Sequence, residues 1–326
     1  MNKYFKNVIS DIINNGLEVS PRGIKTKELI SPRILLEDPR NRIVTFEDRN
    51  TDIFYAIGEF FWYLSGSNKL DYIQYYAPSI GKFSDDEKTL NSAYGYNIFY
   101  KWFNQWSKCI DILKKDKDSR HAVIFIREPQ DLLKITKDSI CTNNLSFLIR
   151  NNKLFMTVQM RSCDCCVGLI FDMFCFTMFQ ELMAIELQVE LGEYIHIANS
   201  LHIYENWFEI ANKIINNDQE NISGKMKLMR FVNKNIWDEI ADILKYEQMI
   251  RTESIETVNL IEEELYTTLQ TSNYWADFLF VLIFKRYFKI DYNRCETIIN
   301  HLEKNSHNFL FAELLRRKIV KNKTIA

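Results

Sequence analysis

The sequence predicts an α+β body, residues 1–212, followed by a helical C-terminal region, residues 213–326. Three observations carry this reading. The first two-thirds of the chain mixes helix and strand signals with no internal repeat or low-complexity linker. After about residue 212, the stretches 226–249, 253–270, 274–288 and 292–304 keep helical periodicity with many Glu and Lys and few strand signals. The composition, 47% hydrophobic and 26% charged over 326 residues, is that of a globular chain able to bury a sizeable core.

Residues 52–65 (DIFYAIGEFFWYLS) read as a helix with Asp52 at its N-cap and Gly66 past its end. Apolar residues nearly surround that helix, which predicts burial. Residues 121–127 (HAVIFIR) and 145–150 (LSFLIR) read as strands, Asn151-Asn152 as a turn, and 153–171 as one or two further strands. Residues 173–190 read as a long buried helix, and 194–204 (YIHIANSLHIY) as extended again.

Lys and Arg number 41 against 43 Asp and Glu, a formal net charge of −2. A coat for nucleic-acid polymer needs a basic excess, so that class is disfavoured, while a single nucleotide held by a few arginines is not. The cysteines at 109, 141, 163, 165, 166, 175 and 295 are odd in number and form no secreted framework. With no signal peptide evident, they predict a reducing cytoplasm. The apolar stretch Phe171 to Val189 carries Asp172, Gln180, Glu181 and Glu186, and so reads as buried core with no membrane span.

Several residues could carry chemistry. Cys141, in DSICTNN, is either a small buried hydrophobe or a nucleophile, and a nucleophile needs nearby cations. Arg161 and Ser162, in MRSCD, lie in an otherwise apolar or cysteine-rich segment; the arginine needs a carboxylate or a phosphate partner. Asp172 stands at a strand-to-helix junction, as an N-cap or as a functional carboxylate. Glu59 shares a helix surface with Tyr55, Ala56, Trp62 and Tyr63, where burial suits either a satisfied carboxylate or a proton shuttle. Cys163, Cys165 and Cys166 lack the paired spacing of a zinc site, and no metal is expected. His202 and Tyr204, in LHIYENW, share one strand face.

Taken in order, these residues resemble the thymidylate synthase superfamily over roughly residues 20–210. Arg22-Gly23 is similar to its phosphate-loop arginine, and GEFFWYLSGSN, 58–68, to its helix bearing glutamate and tryptophan. AYG at 93–95, with Tyr94, and DSRH at 118–121, with Arg120, match further segments. Cys141 falls at the nucleophile, MRSCDCCVGLIFD follows it, and LHIYENW resembles the His-x-Tyr motif. The resemblance implies a thymidylate synthase-like mixed sheet packed with helices. It also implies addition of the Cys141 thiolate to C6 of a pyrimidine nucleoside monophosphate, activating C5 towards 5,10-methylenetetrahydrofolate. In that scheme Arg161, Ser162, Arg22 and Arg120 of a partner subunit bind phosphate, so a homodimer is implied. Glu59 and Tyr94 organise protons, and Asp164 orients the base. His202 and Tyr204 hold the sugar, and Trp62, Tyr75 and Tyr76 address the folate.

One departure bears on substrate. Asp172 stands where thymidylate synthases carry asparagine, as in the deoxycytidylate and CMP hydroxymethylases that it resembles. A carboxyl group can accept from the cytosine 4-amino group and share a proton with N3. The expectation is therefore hydroxymethyl transfer to a cytidine nucleotide, dCMP or CMP. The rivals are a dUMP-directed synthase or hydroxymethylase, and an inactive nucleotide-binding scaffold. His121, Met160 and Ile170 replace family residues, Ile140 and Thr142 flank the cysteine, and KIVKNKTIA does not match the family's closing segment.

Overall fold

A computed structural model describes residues 1–217, 222–232, 235–268 and 273–325. The fold is α+β, with mixed sheets and C-terminal helices. The strands are β1 (Leu17–Val19), β2 (Thr26–Ile30), β3 (Arg33–Leu36), β4 (Val123–Phe125), β5 (Thr142–Arg150), β6 (Lys153–Met160), β7 (Cys163–Asp164), β8 (Glu190–Ala198) and β9 (Ser200–Tyr204). The helices are α1 (Asn2–Asn15), α2 (Ile53–Ser65), α3 (Leu70–Gln74), α4 (Tyr94–Phe99), α5 (Gln105–Lys115), α6 (Gly168–Glu186) and α7 (Phe208–Asn216). They continue with α8 (Ile236–Thr252), α9 (Ile255–Thr268), α10 (Asn273–Tyr287), α11 (Tyr292–Lys304) and α12 (Phe309–Ile325).

The chain divides into two compact units, one of residues 1–51 with 62–225 and one of 52–61 with 226–326. In the first, β3-β8-β6-β5-β4 form one sheet and β1-β2-β9-β7 another. The β6–β8 and β7–β9 pairs are parallel and the rest antiparallel. Parallel neighbours need a crossover, and α6 supplies it. Along β5, β6 and β8 alternate residues are buried, as a sheet with one covered face requires. Gln180 of α6 donates from Nε2 to the carbonyls of Leu154, Gly192 and Glu193, and so ties the helix to that face. Arg42 and Glu181 form an ion pair of 2.5 Å, both buried. By length and hydropathy α6 alone among the described helices could cross a membrane, and most of it is buried within the fold.

The structure differs from the sequence reading in instructive places. The helix expected from 173 begins at Gly168, because the run GLIF suits a buried helix as well as a strand. Asp172 therefore lies inside α6 and caps nothing at its start. The strand expected over 121–127 is pared to Val123–Phe125, while the one expected over 145–150 extends back to Thr142. The extended segment 194–204 is broken at Asn199 and serves both sheets. In α2 Asp52 accepts from the Phe54 amide at 3.1 Å, as its N-cap assignment requires. Gly66 ends the helix with φ of +62°, where a Cβ would also meet the Tyr100 ring.

The second unit holds helices and no strand among its described residues, and residues 226–232, expected to begin a helix over 226–249, are not helical, α8 starting at Ile236. Its core is aromatic: Phe54 stacks on Phe284 at 6.0 Å, Phe60 on Trp275 at 6.4 Å, and Phe278 meets Phe311 edge-on at 5.4 Å. Asp291 starts α11 by accepting from the amides of Asn293 and Arg294. Residues 269–270 of the helix expected over 253–270, and 233–234 of that over 226–249, lie outside the described residues.

Candidate active site

Cys141 stands immediately before β5, at the end of the loop from β4. Arg161 follows β6, the strand beside it, and its amide donates to the Cys141 carbonyl at 2.8 Å. The guanidinium is locked over the same loop: Nε donates to the Ile140 carbonyl and Nη2 to that of Ser139, each at 2.8 Å. This leaves Nη2 3.4 Å from the Cys141 Sγ. The sulfur is half-buried and unbridged, as are all seven cysteines unbridged. Burial pushes the Cys141 thiol up; Arg161 pulls it down, Asp172 and Asp138 oppose that pull, and Arg127 adds to it. The net direction is upward.

Two neighbours frame the sulfur. Tyr94, at the start of α4, is buried between Tyr63 at 5.3 Å and Phe176 at 6.0 Å. Burial lifts its phenol well above the ordinary value, with further lift from Cys141 and Asp172. Gly95 allows this seat, since a Cβ there would strike the Tyr63 carbonyl. Asp138 ties the cysteine loop to the same region, accepting from the Ser92 amide at 2.7 Å. Asp172, one turn into α6, lies 3.9 Å from the Cys163 Sγ.

A second group gathers at the other sheet. Asp164 pairs in register with His202 across β7 and β9, and its Oδ1 accepts from the amides of Cys166 (2.8 Å) and Val167 (3.1 Å). Burial raises its carboxyl, while His202 and those two amides lower it. The His202 and Tyr204 rings meet edge-on at 4.9 Å, and Arg22 donates to the Tyr204 hydroxyl at 3.2 Å. Arg22 reaches it from a turn with φ of +57°.

A thymidylate synthase family model matches residues 3–257. The chain belongs to the thymidylate synthase family. Among its relatives, the deoxyuridylate hydroxymethyltransferase of Bacillus phage SP01 is 32% identical over 214 residues, covering 61% of this chain and 56% of that protein. That of Delftia phage PhiW-14 is 30% identical over 197 residues, covering 56% and 55%. The thymidylate synthase of Fusobacterium nucleatum is 26% identical over 255 residues, covering 72% and 90%. The matches thus span about half the length of the two phage proteins.

Within this family member, Cys141, Arg161, Tyr94 and Asp172 are within electrostatic reach of one another, and Arg22, Tyr204, His202 and Asp164 form the second group. Ser162 is half-buried between Arg161 and β7. Arg120 is exposed, and among the described residues its side chain has no hydrogen-bond or ion-pair partner. Glu59 is buried on α2 and accepts from the Tyr55 hydroxyl at 2.6 Å. Trp62 is also buried, and its indole N–H has no acceptor among the described residues. Tyr75 and Tyr76 meet at 4.9 Å edge to face, with Tyr75 partly exposed.

The sequence reading missed Asp138 and Arg49. Arg49 donates to the Cys166 carbonyl at 2.6 Å and packs its guanidinium against Trp207 at 5.1 Å, which steadies the turn after Asp164. Its sequence context, FEDRNTD, carries no apolar or motif signal that distinguishes it from a solvated arginine.

Proposed function

We propose that this chain transfers a one-carbon unit, at the hydroxymethyl level, to C5 of a pyrimidine nucleoside monophosphate, with deoxyuridylate as the substrate. The observation that carries the reading is the Arg161 guanidinium held 3.4 Å from the Cys141 sulfur in a chain of this family. Deoxyuridylate is favoured over the cytidine nucleotide expected from Asp172 because the most similar hydroxymethyltransferases described above act, by their names, on deoxyuridylate.

In this proposal the Cys141 thiolate adds to C6 and the electron pair moves to C5, which then becomes the nucleophile. Arg161 is fixed by backbone carbonyls before substrate arrives, so its charge stabilises the thiolate without reorganisation. Its remaining donors, with Ser162, Arg22 and a partner subunit's copy of Arg120, hold the phosphate. His202 and Tyr204 hold the sugar, Asp164 and Asp172 the base, and Tyr94 and Glu59 manage protons. The proposed co-substrate is 5,10-methylenetetrahydrofolate, which supplies the one-carbon unit when bound. The buried, unaccepted indole N–H of Trp62 fits a polar ligand there, and Tyr75 and Tyr76 are the other aromatic residues proposed to address it. The seven free thiols suit a reducing compartment.

Asp172 supports a second reading, a cytidine nucleotide, for the hydrogen-bonding reason given above. Tritium release from [5-³H]dUMP, dCMP and CMP with methylenetetrahydrofolate separates the two. Release from dUMP above the others is the expected result; release from dCMP or CMP alone overturns it, and none from any of the three defeats the whole reading.

A further inference from the structure

β5 lies between β4 and β6, and the three strands bring two arginines to its beginning. Arg161 arrives from β6, as described. Arg127 arrives from the other side, two residues past the end of β4. Phe125 pairs with Asn144, and the amides of Ile126 and Arg127 both donate to the Asn143 carbonyl, at 3.0 and 3.3 Å. The backbone at Arg127 therefore runs alongside Thr142 and Asn143, the two residues after Cys141.

The Arg127 side chain is half-buried, its Nε is sealed from solvent, and that Nε has no acceptor among the described residues. No ion pair engages the guanidinium there either. Leaving a buried donor of a charged group unmatched is costly, so the placement calls for a function. Its charge reaches the Cys141 sulfur, on which it acts together with Arg161 and against Asp172 and Asp138. Tyr94 and Cys163 complete the ionisable groups around that sulfur.

We propose that Arg127 is a second cation serving Cys141, stabilising the attacking thiolate from the strand opposite to Arg161. This rests on Cys141 being the nucleophile, and it assigns a positioning and electrostatic role to a residue that no sequence motif singled out. One locked arginine faces two carboxylates and burial around a single thiol; a second unpaired cation offsets that imbalance.

The test is the pH profile of Cys141 alkylation by iodoacetamide in the full chain, without substrate. The sulfur displaces iodide, the thiol proton passes to water, and peptide mass spectrometry assigns the modified residue. Cys141→Ser provides the blank. In Arg127→Met the midpoint of the profile moves to higher pH, and the rate at pH 7.5 falls about three- to tenfold. Arg127→Lys, which keeps the charge, stays near wild type. Arg127→Gln repeats the measurement should Arg127→Met fail to fold. A neutral, folded variant with the wild-type profile overturns the inference and leaves the nucleophile reading intact. If Cys141 resists alkylation in the wild type at every pH, the nucleophile reading itself fails.

Discussion

The helical unit and the surroundings of Cys141 treat buried charge differently. In the helical unit three buried carboxylates are met by cations of that same unit, and Glu59 accepts from the Tyr55 hydroxyl. Glu262 pairs with Arg294 at 2.5 Å and accepts from Tyr287 at 2.8 Å, Asp277 pairs with Lys227 at 2.7 Å, and Glu247 with Arg251 at 2.8 Å. Even the carbonyls at the end of α8 are answered, since Arg286 accepts its place by donating to those of Ile250 and Arg251. Around Cys141 one cation, Arg127, is left without an ion pair among the described residues. Arg127 keeps a buried donor with no acceptor among the described residues, whereas the unpartnered buried atoms of the helical unit, Trp275 Nε1 and Asp277 Oδ1, do not belong to cations. Closed networks hold a fold together; open ones await a ligand.

The largest expected effect breaks the open region alone. Cys141→Ala reduces tritium release to background while leaving the melting temperature near wild type. Next come the closed networks. Glu181→Ala beneath the sheet strands the buried Arg42 and costs about 3–5 kcal/mol in denaturant unfolding, and Glu262→Ala in the helical unit, whose partner Arg294 is partly exposed, costs less. If the contrast holds, Glu262→Ala leaves the alkylation profile of Cys141 unchanged. A shifted profile would show that the helical network serves the site too.

Asp172→Asn sharpens the substrate question. It moves the ratio of dCMP to dUMP turnover about 10- to 100-fold towards dUMP, measured as competing tritium release. An unchanged ratio removes Asp172 from base recognition.

A smaller, graded effect concerns His196, which is fully buried on β8 and has its Nδ1 3.0 Å from the Tyr194 hydroxyl. Burial lowers its pKa to about 3 from 6.5. Between those values the unfolded chain binds the proton and the folded chain does not. Stability is therefore complete above pH 6.5 and declines as pH falls towards 3. Melting temperature against pH shows that decline in the wild type, and His196→Gln, which cannot charge, flattens it.

Much of this was legible in the sequence, for physical reasons that differ by residue. The helix at 52–65 was readable because its cap, apolar surface and terminal glycine agree. Cys141 and Arg161 were readable as a spaced pair, although the lock of Arg161 on the carbonyls of Ser139 and Ile140 was not, since backbone acceptors leave no trace in residue identity. The start of α6 was misread because a fully buried helix has no polar face to give it a period. Asp172 consequently passed for a junction residue. Arg127 was invisible because only strand order brings it to the cysteine, while Asp138, three residues before Cys141, went unremarked in a loop with no motif of its own. The upward direction of the Cys141 thiol was also unforeseen: the sequence shows the cation, while burial and the approach of Asp172 appear only in the fold.

The most direct measurement is intact and peptide mass spectrometry after incubation with 5-fluorodeoxyuridylate and 5,10-methylenetetrahydrofolate. A C5 fluorine cannot depart as the C5 proton does, so an adduct formed by attack at C6 is trapped. The expected result is a nucleotide-bearing adduct on the peptide containing Cys141, lost in Cys141→Ala. An unmodified protein, or an adduct on another cysteine, under conditions where deoxyuridylate turns over would contradict attack by this sulfur.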